Sequence, residues 1–375
     1  MDSLSDTPSK TPSLFGGGCD SAKMFPFLIE EYEADGLSEP CRHDRDLYPR
    51  CKDRELDKFL EEVGGLDLMT IKNIHGIDPS SLPFYIPIAD QFLFNTDVQL
   101  DSKVIGIQFR DLIRKKGREI RPNPLLEVLF SNREVILFSS GRDNLIEPAW
   151  FWREEAQLFH KLGEMGFMAA TGINFSVNED MCPTGQHLNI KKSLKSSSLA
   201  EENGLPSIPH LYAVNENERR QNTQWLNAYH KVRLISINCQ RQKGEHDLNV
   251  LKKTIRYYLE NTDHEIHIIL KGFRISWLEG LYEYLPYLHI AQKQPFMHAL
   301  NFTLTTFDRV SESLKNKQVK MDRKDRHLLA TLNFEARRDF LAYLHEKHKH
   351  SFKKLPLRIP SGSVNFVNIR QSIPS

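Results

Sequence analysis

The sequence predicts an α/β protein whose central unit is a (β/α)8, TIM-barrel-like domain, with a doubly wound open parallel sheet as the alternative. Three observations carry this. Eight short apolar runs recur between residues 84 and 291, apolar along their length, as strands buried on both faces are. Helical patterns separate several of them, and strand–helix alternation implies parallel pairing through right-handed crossovers. No Gly-rich fingerprint is present to mark the dinucleotide crevice of an open sheet.

The runs are "FYIPIAD" (84–90), "VIGIQF" (104–109), "EVILFSS" (134–140), "FMAATGINFS" (167–176), "IPHLYAV" (208–214), "RLISINC" (233–239), "EIHIILKG" (265–272) and "YLHIA" (287–291). The last is short, and "ALNFTLTTF" (299–307) competes with it as the closing strand. Among the helical patterns, "EPAWFWREEAQLFHKLGEMG" (147–166) sets Trp150, Ala156, Phe159, Leu162 and Met165 near one face and stops at Gly166. "NENERRQNTQWLNAYHK" (215–231) opens on Asn215 with Glu218 three residues later, a capping arrangement. "GEHDLNVLKKTIRYYLENTD" (244–263) lines up Leu248, Leu251, Ile255 and Leu259.

The flanks differ in composition. Residues 1–23, rich in Ser, Thr, Pro and Gly, read as a disordered tail. Residues 24–80 read as an N-terminal extension with a helix at 53–66, and residues 81–307 as the barrel-like domain. Residues 308–375 are dense in charge. Leu328, Leu329, Leu332, Phe340, Leu341 and Leu344 supply an apolar stripe there, which predicts one or two amphipathic helices before an irregular end.

A hydrophobic fraction of 40% over 375 residues is enough for a sizeable core. The net charge of +1 gives no global attraction to nucleic acid or acidic membranes, so any basic site is local. Five scattered cysteines without a CxxC pair argue against a disulfide framework or zinc ribbon and for a reducing compartment. No run approaches the 18 apolar residues of a membrane span, and the N-terminus lacks a secretory signal pattern. A cytoplasmic protein of bacterial type is the expectation. No motif names a cofactor.

Ligands of parallel α/β folds bind at the carboxyl ends of the strands. That rule selects Asp90, Asp143 and Glu216 as acid/base or metal-ligand candidates, and Lys271 and Arg142 as anion clamps. Asn174, Asn238 and Gln240 would orient a ligand, with Ser176, Arg274 and Lys293 completing the binding set. Polar residues also begin at strand ends because loops need solvation and helices need caps; Asn215 fits that role better than a ligand contact. Loop charges lean positive through Arg110, Arg142, Lys191, Lys192, Lys271 and Lys293 among others, which favours an anionic small molecule or nucleic acid. "SSGRD" lacks a GxSxG elbow, so serine hydrolysis is not predicted. His264 and His267 would face opposite sides of a strand, and no metal set is read from the sequence. Cys239 reads as a small buried residue.

The runs "GINFSVNEDMCPTGQHLNIKKSL", "GLPSIPHLYAVNENE", "LISINCQ" and "IHIILKGF" resemble a barrel-like domain family of bacteria, their phages and plasmids that has no established activity. The resemblance covers roughly residues 134–275 and implies a mobile-element setting, with roles in replication, transfer or defence. Asn174 stands where the family pattern carries Asp, which suits ligand orientation better than proton transfer. The expected function is binding of a phosphate-bearing ligand, nucleotide or nucleic acid, at the strand ends, with hydrolytic or phosphotransfer chemistry if the protein is an enzyme. The alternative is a non-catalytic protein that contacts DNA or a protein partner through its C-terminal helices.

Overall fold

The structure is a computed structural model that describes residues 60–61, 63–90, 100–114, 119–120, 133–177, 183–240 and 244–355. The expected tail, residues 24–59 of the N-terminal extension and the irregular C-terminal end lie outside the described residues; of the 53–66 helix the end is described, with residues 60, 61 and 63 helical and the Gly64–Gly65 pair closing it at φ 77° and 75°.

Each of the eight apolar runs contains a strand. They are β1 (Tyr85–Pro87), β2 (Val104–Gln108), β3 (Glu134–Phe138), β4 (Ala169–Thr171), β5 (Ser207–Ile208), β6 (Leu234–Asn238), β7 (His267–Lys271) and β8 (Leu288–Gln292). They form two four-stranded parallel sheets, one ordered β2-β3-β4-β5 and one β1-β8-β7-β6. Parallel bridges link the sheets at both sides. Ile88, just past β1, pairs with Gly106 of β2, and His210, just past β5, pairs with Ser236 of β6.

Helices follow the strands as the sequence patterns require. They are α1 (Asp143–Phe151), α2 (Leu158–Glu164), α3 (Pro183–Glu202), α4 (Glu216–Ala228), α5 (Glu245–Asn261), α6 (Gln294–Leu300) and α7 (Arg326–His348). Asn215 caps α4, its side chain accepting from the Glu218 N–H at 2.9 Å, while the Glu218 carboxylate accepts from the Val214 N–H at 2.8 Å. The single helix expected over 147–166 is two. Arg153 lies over the Trp150 ring at 4.1 Å and donates to its carbonyl at 2.7 Å, and the same carbonyl takes the Arg153 N–H at 3.3 Å, a tight turn where the next α-helical bond would form. Gln157 then takes a left-handed conformation (φ 50°) before α2 begins.

Burial of the strands on both faces conceals a two-residue alternation. Ile86, Ile88, Val104, Ile136, Phe138, Ala169, Ile208, Leu234, Ile269 and Ala291 pack together as one cluster. The intervening Ile105, Ile107, Val135, Leu137, Ile235, Ile237, Ile268 and Leu270 join a separate core with the helices. Gly106 lies on the side of the first cluster. A Cβ there would collide with the Phe138 ring, so the absent side chain is what admits the Phe.

The C-terminal region departs from expectation. Residues 303–308 (β9, Thr303–Asp308) do not close the sheet, because β8 already pairs with both β7 and β1. Instead β9 forms an antiparallel hairpin with β10 (Ser313–Gln318), a stretch expected to be helical. Phe307 explains the choice: its ring packs at 5.2 Å from Phe340 and 5.4 Å from Tyr343 of α7, while Thr305 is buried. Asn333 of α7 is fully buried and ties the hairpin down, accepting from the Thr305 N–H at 2.5 Å and donating to the Thr303 carbonyl at 2.9 Å. The stripe on α7 is largely spent within the chain. Leu329, Leu341 and Leu344 are buried and Phe334 stacks on Tyr85 at 5.5 Å, leaving Leu328 and Leu332 exposed.

Candidate functional site

The alternation that fills the inner cluster continues past the ends of the strands. Two residues beyond Ile88 is Asp90, two beyond Ala291 is Lys293, and two beyond Ile269 is Lys271. All three side chains are largely buried. Lys271 is 3% exposed and Asp90 3% exposed. Register pairs Lys271 with Asn238 of β6 on one side and Ala291 of β8 on the other.

The Lys271 ammonium donates to the Ser140 hydroxyl, beyond the end of β3, and to the Gln240 side-chain carbonyl at 3.1 Å. Both acceptors are neutral. Burial strips water from the amine, and the nearby positive charges of Arg110 and Lys293 further disfavour its charged form. Together they push Lys271 down to about 7 from an ordinary 10.5, against the weaker opposing influence of Asp111. Lys293 is ion-paired with Asp90 at 2.5 Å. Asp111 is held above the usual carboxylate range by burial, opposed by Lys293 and Arg110. Three cations and two carboxylates thus share the strand ends. With Lys271 neutral their charges balance; with it protonated one positive charge is in excess.

Gly272 completes the arrangement. It adopts φ +73°, and a Cβ there would lie 2.5 Å from Gln240 Cγ. Gly272→Ala should therefore strain the backbone, displace Gln240 from Lys271, and lower the urea unfolding free energy by about 1–3 kcal/mol.

The other sequence-predicted residues make separate contacts, except that Asn238 lies beside Lys271 in register. Asp143 accepts from the Ser176 hydroxyl at 2.8 Å, and the Ser176 carbonyl accepts from Asn189 at 2.6 Å. The Asn174 N–H donates to the Ser139 carbonyl at 2.9 Å, so its backbone is fixed beside the end of β3. Asn238 accepts from the Gln240 N–H at 3.4 Å. Arg142, Glu216 and Arg274 are exposed, with Arg274 over the Trp277 ring at 4.9 Å. Lys191 and Lys192 do not join a positive rim. Lys191 is buried against the Asp67 carbonyl and the Thr70 hydroxyl, and desolvation pushes it down to about 8. Lys192 is buried, ion-paired with Glu147 at 2.8 Å and over the Phe175 ring at 4.0 Å. Burial pushes the Cys239 thiol up, which disfavours a thiolate.

The strand-end rule does not select Asp111, Ser140 or His210 as site residues. His210 is buried, 3.5 Å from the Ser236 hydroxyl, and desolvation together with Lys271 pushes it down to about 3. It is therefore neutral across the physiological range. Parity would have found Ser140, two residues beyond the inward-facing Phe138, and His210, two beyond Ile208.

Compared with models of known protein families and with curated protein sequences, the chain matches none.

Proposed function

We propose that the eight strands form a closed (β/α)8-type ring and that its carboxyl end binds a small phosphate-bearing anion. The two inter-sheet bridges support the ring, because with them each of the eight strands has a neighbour on both sides. A doubly wound sheet would retain two edge strands. The separation of the apolar residues into an inner and an outer cluster is also what a ring requires.

The observation that carries the binding reading is Lys271: a buried amine held by two neutral oxygens, with Arg110 and Lys293 close enough to depress its basicity. An isolated buried charge is costly, and an arriving anion offsets that cost. The seclusion of Lys271 favours a metabolite or a nucleotide's terminal phosphate over a nucleic-acid backbone. Where the ligand is turned over, hydrolysis or phosphotransfer suits the set. Lys271 and Asp111 would exchange protons, since burial brings both closer to neutrality. The resemblance to the bacterial and phage family adds a mobile-element setting to this reading, and the five scattered cysteines without a CxxC pair add a reducing, cytoplasmic location. Among the described residues no helix is long and apolar enough to cross a membrane.

The proposal fixes the direction of the pH dependence. Anion binding to protonated Lys271 is favoured below about 7 and weakens as the amine deprotonates above it. Calorimetric titration with inorganic pyrophosphate should show affinity falling at least tenfold between pH 6 and pH 9, with proton uptake near neutrality. Equal affinity at both pH values, or no binding at either, would contradict the reading.

A further inference from the structure

His230, Asp263 and His264 meet at the opposite end of the strands from Lys271. His230 lies in the turn before β6, and the other two in the turn between α5 and β7. The Asp263 carboxylate divides between the rings, with Oδ2 3.1 Å from His230 Nε2 and Oδ1 3.0 Å from His264 Nδ1. One ligand atom from each residue lies within 4.8 Å of the others.

The second nitrogen of His264 determines what the cluster needs. Its Nε2 is 3.0 Å from the Val232 carbonyl, which can only accept, so Nε2 carries a hydrogen. In the neutral ring Nδ1 then presents a lone pair to a carboxylate oxygen at 3.0 Å. Two acceptors at that distance repel unless a cation, a proton or a metal ion, lies between them. Ligand atoms about 2.0–2.2 Å from a common ion are roughly 3.0–3.4 Å apart at angles of 90–110°, and the observed separations of 3.0 and 3.1 Å match such an edge. A hydrogen bond from the far imidazole nitrogen to a carbonyl is also how metal-bound histidines are normally oriented. The turn is held independently: Asn227 accepts from the Asp263 N–H at 2.9 Å and donates to the Asn261 carbonyl at 3.3 Å.

We propose that His230, Asp263 and His264 bind a divalent transition-metal ion, with zinc as the first candidate. Two imidazoles and one carboxylate suit zinc, nickel or cobalt better than calcium or magnesium, which prefer all-oxygen shells. His230, whose side chain is 46% exposed, leaves room for water to complete the coordination. β7 separates this site from Lys271 by on the order of 13 Å, at about 3.3 Å per residue. The ion would therefore act as a staple between the α4–β6 and α5–β7 turns and take no part in chemistry at the other end of the strands.

The full chain, stripped with chelator, is titrated with zinc chloride by calorimetry and its retained metal measured after gel filtration. One equivalent should bind, and cobalt should give a visible absorption band. His230→Gln and His264→Gln should each weaken zinc binding by more than the ~10–100-fold that loss of an outer partner costs, and abolish the cobalt band. Zinc should raise the melting temperature of the parent chain but not of His230→Gln, which alters an exposed side chain and should still fold. Failure of the parent chain to retain zinc would overturn the proposal. So would unchanged affinity in both variants, which would move the ion elsewhere, for instance to His345, His348 and His350.

Discussion

Lys271→Met should be more stable than the parent chain at neutral pH and should lose anion binding. The two effects have one cause. The folded-state value of about 7 lies below the ordinary 10.5, so between those values the unfolded chain binds more protons than the folded one and stability rises with pH. The penalty is absent above 10.5 and complete below 7, where it reaches roughly 4–5 kcal/mol as an upper figure. Methionine fills the same space without charge, but it strips a donor from Ser140 and Gln240 and gives back about 1–3 kcal/mol. A net gain on the order of 2 kcal/mol at pH 7 is expected, shrinking as pH rises toward 10. Urea unfolding of both chains from pH 6 to pH 10 measures the difference directly. Stability gained at the expense of binding is the mark of a group retained for function. A variant less stable than the parent throughout would make Lys271 a structural residue.

Asp90→Asn should cost the most stability of any single change at the site, about 2–3 kcal/mol. It leaves the Lys293 ammonium beside a neutral amide in a place water barely reaches, the side chains being 4% and 11% exposed. Removing one partner of a buried pair costs ~3–5 kcal/mol, and the residual exposure of Lys293 places this case at or below the low end. Asp90→Asn/Lys293→Met should recover most of the loss, because it removes the orphaned charge. A double-mutant cycle in urea therefore separates the pair energy from the single effects. If the double variant is no more stable than Asp90→Asn, the pair is not what holds Asp90 in place. A catalytic role for Asp90 would then be read from the phenotype of Asp90→Asn with its stability loss taken into account.

Much of the strand framework was legible because burial on both faces produces unbroken apolar runs. "VIGIQF" and "EIHIILKG" have few other uses in a chain of this composition. The same uniformity hides the parity that decides which side chain faces inward, so the sequence points to Lys271 as a strand-end residue but not to Ser140, its partner across 131 positions. The hairpin is not legible because its charges resemble those of a solvated helix. What fixes it as strand is contact of Phe307 and Thr305 with a helix some 30 residues later. Lys191 and Lys192 read as surface charges from the sequence because nothing local tells a helix which face Asp67 and Glu147 will cover. His230 and Asp263 lie 33 residues apart and meet only after α5 has returned the chain to the sheet, so no local spacing rule joins them.

Lys271 is a buried amine poised near neutrality at the carboxyl end of the strands. A pH titration of the chain carrying 13C-labelled lysine, followed by NMR, tests this most directly. One lysine resonance should titrate near pH 7 and vanish in Lys271→Met. If the resonance lost in Lys271→Met instead titrates near the ordinary 10.5, Lys271 is not a buried amine poised near neutrality.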